Sequence, residues 1–463
     1  MAIDAEKNDF YFCRTVMIDD NPDDLKILAQ TLHQAGIQCT LIKYEPDPSE
    51  LGSLRYLRRS NIIFLDLHLL AGDGVGTDSS GSALAGPILN IFTDMEIESP
   101  YFLVIWTAFP SNAEAVVRTV FERLPANIAR PVSISYLDKH DYEAPSGAAD
   151  LLKKIFLLFN SHPEITAMMA WEGRVDGAAA KLHGRIFELT RTSATDYDRD
   201  KFSALLHAIA VSATGALAQE NRASSMETGL LPLLEDQLAK ETDDLAYKSV
   251  WNNTLMRAPS QIDESDQCKL NSCLLLEENT SGKLLPSSRG AWIVIDTPLD
   301  ELAFTFFGDK IDELKMEAFI NNPDEAGLHE NKKRIRQQAQ NESLIGLFTY
   351  MPPCDYAQRK TKLINVFLSA LIPDSTKMAI KHGAAVYKSP VIWYAGKGHM
   401  ILANFKFVSS VPEQFLETIR IKAAPPLFRI RDQLLNEIAV KYAAYMTRPG
   451  IISIPEKINA VNE

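Results

Sequence analysis

Three aspartates, a threonine and a lysine in the first third of the chain have the types and spacing to do chemistry: Asp19 with Asp20, then Asp66, Thr107 and Lys139. Each stands at or just beyond the end of a short apolar run. Carboxylates are hard oxygen donors, and three in one pocket suit a small divalent cation such as Mg²⁺. A hydroxyl and an ammonium arriving on two further segments would add a hydrogen-bonding group and a fixed positive charge. Together these are the equipment of phosphoryl transfer, which depends on positioning and charge neutralisation.

For these residues to meet, the runs that carry them must be neighbouring strands. Apolar runs at residues 14–18, 38–42, 62–65, 102–106 and 132–136 read as five buried strands, with helical segments between them. Pro22 opens the first helix, with Asp23 and Asp24 in its first turn, where the helix dipole favours negative charge. Leu25, Leu28, Ala29 and Leu32 form its apolar stripe, and residues 149–160 close the series as another helix. Alternation of this kind predicts a doubly wound parallel sheet, whose sites lie at the carboxyl ends of the strands.

The wider composition bounds the rest. A chain of 463 residues exceeds one ordinary core, and 46% apolar with 23% charged residues is ordinary for a globular protein. Net charge is −13, and the first 163 residues carry 13 basic against 22 acidic residues, which disfavours nucleic-acid binding. Lys332 to Arg336 is a local basic run that reads as a solvated helix face. The first ten residues are polar and acidic, unlike a signal peptide, and the weakly polar stretch 204–218 is too short to span a bilayer. Five cysteines without framework spacing point to a reducing compartment, so the expectation is a cytoplasmic protein without membrane contact.

Residues 16–22 (Val-Met-Ile-Asp-Asp-Asn-Pro), Phe64-Leu-Asp66-Leu, Trp106-Thr107-Ala108 and Leu137-Asp-Lys139 resemble the response-regulator receiver family over about residues 13–160. The resemblance implies a flavodoxin-like receiver with five parallel strands, phosphorylated on Asp66 by a sensor histidine kinase. It implies Mg²⁺ held by Asp19, Asp20, Asp66 and the backbone carbonyl of His68. Thr107 and Lys139 would meet the phosphoryl oxygens, and Thr107 with Tyr136 would act as the switch. The chain departs from the family in a long Gly/Ser-rich, acidic loop, residues 68–82, and in His140 where the family has proline after the lysine.

Beyond residue 160 the sequence predicts a helical segment, 161–265, and a mixed α+β, barrel-like domain, 266–463, after a short N-terminal tail, 1–12. Met168, Trp171, Val175, Ala178, Leu182, Ile186 and Leu189 recur by threes and fours, a face suited to a neighbouring helix of this chain or to a homodimer. Residues 200–219 and 230–240 read as further helices, and 258–266 as a linker. Strand-like runs occur at 272–276, 292–295, 344–350, 391–394 and 399–408, with a charged helical insertion at 310–340 and a last helix at 427–446.

A turn containing Cys354, Asp355 and Gln358 could form a second site, a thiol nucleophile with an orienting acid, although no histidine lies near it in sequence and Asp355 equally suits a helix start. Cys268 and Cys273 read as core thiols, His382 and His399 as structural, and Arg429, Arg431 and Arg448 as salt-bridged surface around the last helix. The whole-chain texture is similar to that of large receiver proteins that accompany unusual histidine kinases in bacterial phage-defence loci. The expected output is a phosphorylation-controlled interaction with a downstream effector protein. The alternatives are a phosphate sink competing for the kinase, a receiver-gated enzyme acting through Cys354 and Asp355, and a receiver fold that is never phosphorylated.

Overall fold

The computed structural model describes residues 14–34, 37–45, 53–69, 81–108, 113–142, 147–240, 245–256, 261–280, 282–295, 307–308, 310–358, 363–416 and 425–447. The chain groups into two compact units. Met1–Leu206 joins Leu230–Pro259 in the first, and His207–Gly229 joins Ser260–Glu463 in the second. Residues 161–265, expected as a helical segment, are thus shared between the units. The N-terminal tail and most of the loop after His68 lie outside the described residues.

The first unit is built on strands β1 (Thr15–Asp19), β2 (Cys39–Lys43), β3 (Ile62–Leu65), β4 (Phe102–Thr107) and β5 (Ser133–Asp138). All pair in parallel, in the order β2-β1-β3-β4-β5, the flavodoxin-like order. Helices α1 (Pro22–Gln34), α2 (Gly81–Met95), α3 (Ala113–Arg123) and α4 (Gly147–Ser161) cover it. Strand residues alternate between two cores. Val16, Ile18, Ile63, Leu65 and Ile105 pack with Ile88 and Phe92 of α2 and Val116 and Val120 of α3. Met17, Phe64, Val104 and Trp106 pack with Leu25 and Leu28 of α1 and Leu151 and Ile155 of α4. Burial on both faces is why these strands read as unbroken apolar runs. The expected strands therefore form, displaced by two residues at most.

Helices α5 (Pro163–Glu188), α6 (Arg199–Thr214), α7 (Arg222–Lys240) and α8 (Leu245–Leu255) follow. Arg14 beside β1 donates to Glu172 of α5 at 2.8 Å, and the Arg174 guanidinium lies 4.4 Å over the ring of Tyr247 in α8. Helix α6 continues as a 3₁₀ turn, so one helical run spans Arg199–Gln219. Its 21 residues and mean hydropathy of 1.4 make it long and apolar enough to cross a membrane, with 11% of its most apolar window buried. The weakly polar stretch 204–218 lies inside this run, whose first turn carries Arg199, Asp200 and Lys201.

The second unit contains α9 (Glu264–Leu275), β6 (Leu276–Glu278), β7 (Ala291–Val294), α10 (Ile311–Leu314), α11 (Glu330–Glu342), β8 (Leu344–Tyr350), α12 (Pro353–Gln358), β9 (Leu363–Pro373), β10 (Val386–Tyr394), β11 (Lys397–Pro412), β12 (Phe428–Ile430) and α13 (Asp432–Met446). Its seven strands are antiparallel throughout, in the order β10-β11-β9-β8-β7-β12-β6, and curl into an open half-barrel. Strand β9 sits near its centre. Ile364, Val366, Leu368, Ala370 and Ile372 face one core, and Phe367 and Leu371 face the other, beneath α13.

Several expectations are corrected here. Residues 272–275 belong to α9 rather than to a strand, since Asp263 caps that helix by accepting from the Ser265 amide. Cys268 is buried, whereas Cys273 is exposed and is no core thiol. Strand β9 was not anticipated, and the predicted last helix, 427–446, is split into β12 and α13. Arg429 therefore sits on a strand, donating to Glu277 at 3.1 Å, and Arg431 donates to the Leu276 carbonyl at 2.6 Å. Arg448 lies outside the described residues.

Packing around Trp292 is tight. The ring is fully buried, stacks on Phe428 at 5.4 Å and donates to the Ser369 hydroxyl at 2.9 Å. A Cβ added at Gly346 would stand 2.5 Å from the Ile293 carbonyl oxygen and 2.6 Å from the Trp292 ring. Gly346→Ala is therefore expected to cost about 1–3 kcal/mol of stability through overpacking. Gly383→Ala, where an added Cβ meets nothing within 4 Å, is expected to be silent. Chemical denaturation of the two variants beside wild type checks this.

Candidate functional site

The turn after β1 is set by its own residues. Asn21 caps α1, its side-chain oxygen accepting from the Asp23 amide at 3.0 Å, and Pro22 follows at the first helical position. Asp19 accepts from the Asn21 amide at 2.9 Å, which holds its carboxylate at the strand end. Asp66 follows β3 directly and accepts from the Leu67 amide at 2.7 Å. Thr107 is the last residue of β4, and Lys139 follows β5 at once, opening a short 3₁₀ turn. All five residues thus gather at the carboxyl ends of adjoining strands.

The Lys139 ammonium donates to Asp19 at 2.7 Å, to Asp24 at 2.9 Å and to Asp66 at 3.1 Å. An ammonium has three N–H groups, so these three carboxylates use all of them. Side-chain exposure is 3% for Asp19, 7% for Asp66, 10% for Lys139 and 26% for Asp24. Asp19, Asp20 and Asp66 each offer an oxygen within 4.8 Å of the others.

This crowding shows in the acid–base chemistry. Burial, and then the charge of Asp66, push Asp19 from 3.8 up to about 6 despite its bond to Lys139. The same two causes raise Asp20. Burial alone would pull Lys139 down, but the charge of Asp66 and the hydrogen bond to Asp19 hold it above the usual lysine value. The donor set is all oxygen, and its excess negative charge is what a hard divalent cation would relieve. The residues present therefore fit a hard divalent cation such as Mg²⁺, which Asp19, Asp20 and Asp66 would hold.

Two contacts here escaped the sequence reading. Asp24 suits the helix dipole, and it is also the third partner of Lys139, a contact that no spacing in the sequence signals. The second is the His68 imidazole, whose Nδ1 lies 3.2 Å from the Thr107 hydroxyl. The resemblance assigns His68 only a backbone carbonyl. Thr107 is fully buried, and Tyr136 on β5 is 37% exposed. Asp355 lies on α12 of the second unit, whereas the side chains of Cys354 and Gln358 are outside the described residues, as are residues 70–80 of the long loop.

No protein-family model matches this chain, and no curated protein matches it. Among solved structures, a fusion carrying the yeast Spc42 trimeric coiled coil aligns with 38% of this chain and 96% of its own, at 16% identity and a TM-score of 0.20. A likeness that weak carries no argument. The fold assignment rests on the sheet itself, five parallel strands in flavodoxin-like order.

Three outcomes follow from the charge balance. Lys139→Ala leaves three carboxylates without their cation, which is expected to cost about 3–5 kcal/mol of stability, recovered in part by Mg²⁺; thermal unfolding with and without the metal tests it. An aspartate whose folded pKa exceeds its unfolded one holds its proton more tightly when folded. The Asp19 site therefore loses stability as pH rises from about 4 to about 6. Mg²⁺ affinity is expected to run the other way, weakening as pH falls through about 6, and calorimetric titration on either side of that value reads it.

Proposed function

We propose that the first unit is a phosphoacceptor switch, in which Asp66 takes a phosphoryl group from the phosphohistidine of a sensor kinase. The observation that carries this reading is the single buried ammonium shared by Asp19, Asp24 and Asp66 beside Thr107 at the strand ends. An Asp66 oxygen would attack phosphorus as the nitrogen–phosphorus bond of the donor breaks, and the imidazole would leave with the bonding pair. Mg²⁺ bound by Asp19, Asp20 and Asp66 would offset the charge of the incoming group.

The residues of the chain itself account for the rest. The Leu67 amide fixes one Asp66 oxygen, so the carboxylate is oriented before the donor arrives. The product adds about −1.5 to −2 charge to a site already rich in carboxylates. Lys139 can serve it only by giving up a present partner. Asp24 is the most exposed of the three and rehydrates at least cost. The Thr107 hydroxyl must likewise turn from His68 toward the phosphoryl oxygens, and such side-chain movements are the local event that a switch transmits.

The output we infer is protein interaction, either with an effector or between two copies of this chain, in a cytoplasmic setting. The chain passes between its two units three times, after Leu206, Gly229 and Pro259, so a change in the first has covalent routes to the second. Intact mass after incubation with Mg²⁺ and acetyl phosphate tests the reading: wild type gains one phosphoryl group and Asp66→Asn gains none. Light scattering on the same samples reads any change of assembly. Asp24→Asn is expected to speed phosphorylation about fivefold, the effect of roughly 1 kcal/mol of partly exposed pairing. Absence of any adduct on wild type would remove the proposal.

A further inference from the structure

The first unit has a cavity of about 460 Å³ at the opposite edge of its sheet, where β1 and β2 begin. Its size falls within the range of small-molecule sites. One wall is the start of β1 with Gln38, just before β2, and Thr40 on β2; the second is the segment bearing Tyr56 and Arg59, and the third is α5 at Gly173 and Gly177. The two glycines lie one helical turn apart on the same face, so α5 presents bare backbone there. A Cβ added at Gly177 would meet nothing within 4 Å.

Two features point to an occupant. Thr15 lines the cavity, is 2% exposed, and its hydroxyl is buried with no hydrogen-bond partner. Buried polar groups are nearly always paired, and this one, at the border of the cavity, would be completed by a ligand once the side chain turns toward the open space. The second is charge. Arg14 is already matched by Glu172 and Asp176, whereas Arg59 forms no ion pair among the described residues. That leaves one unspent guanidinium at the wall, suited to an anionic group. Hydroxyls and an amide from Thr15, Thr40 and Gln38 suit a hydroxylated body, and the Tyr56 ring offers a flat apolar face.

We propose that this cavity binds a small organic phosphate of nucleoside-monophosphate size, with the phosphate on Arg59 and the sugar hydroxyls toward Thr15. The site is separate from the carboxylate cluster, and it stands or falls independently of phosphorylation at Asp66.

Calorimetric titration of the full chain tests it, with adenosine 5′-monophosphate, ribose 5-phosphate, adenosine and inorganic phosphate as probes. At least one of the two organic phosphates is expected to bind saturably at one site per chain. Arg59→Ala should weaken that binding tenfold or more, and the near-isosteric Thr15→Val severalfold. Gly177→Leu, which fills the open space without a backbone clash, should abolish it. Unfolding temperature and Mg²⁺ binding unchanged in all three variants would show that the fold is intact. Binding indifferent to all three variants would overturn the proposal. So would adenosine or inorganic phosphate binding as tightly as the organic phosphates, or no saturable binding of any probe.

Discussion

A single lysine ammonium governs the chemistry of the first unit. Around Lys139 stand Asp19, Asp24 and Asp66, so three carboxylates share one cation in a largely buried pocket, with the Asp20 carboxylate close to two of them. Buried charge persists only where it is paired and hydrogen-bonded. The backbone meets that demand at two places, the Asn21 and Leu67 amides, and both exist because a strand ends and turns there. The parallel sheet is thus a condition of the pocket. It brings strand ends distant in sequence, with their carboxylates and the lysine, to one end of the sheet.

Much of this was legible from residue types. The strands of the first unit announce themselves because both faces are buried, and the Asp-Asp-Asn-Pro order encodes its own helix cap. Asp24 and His68 were assigned other roles because their contacts depend on side-chain direction in three dimensions. Sequence spacing says which residues share a helix face, and it leaves open which neighbour a side chain on that face will reach. Strand β9 escapes the sequence because its apolar run is broken only at Asn365 and Ser369, four residues apart, a spacing that suits a helix face as well as a strand. The boundary between α9 and β6 was misplaced because Leu274, Leu275 and Leu276 suit either state. The Asp263 cap and the pairing of Leu276 with Ile430 decide it.

The second unit spends its buried polar groups on packing. Arg289, 2% exposed, donates to the Met351 carbonyl at 2.7 Å and to Asn436 at 2.8 Å, and pairs with Asp432 at the start of α13. Trp292, Ser369 and the Leu402 carbonyl form a relay of hydrogen bonds through the sheet. The Asn404 amide donates to the Ala318 carbonyl at 2.8 Å. Such groups fix strand register and helix docking, and each of those named is satisfied by a partner within the fold. His399 belongs with them: it is buried, with Nδ1 at 3.1 Å from the Lys397 carbonyl, and burial lowers its pKa.

The interleaving of the two units bears on how the molecule is made. As the chain leaves the ribosome, the five parallel strands and their helices can assemble early, since their partners lie close in sequence. The first unit nevertheless lacks its last piece until Leu230–Pro259 emerges, by which time His207–Gly229, belonging to the other unit, has already been synthesised. The second unit waits longer still, because β6 pairs with β12 from near the far end of the chain. Neither unit can therefore be lifted out by a single cut. Gene fusion or shuffling at one breakpoint would strand a helix of one unit on the other, so recombination must carry the two units together.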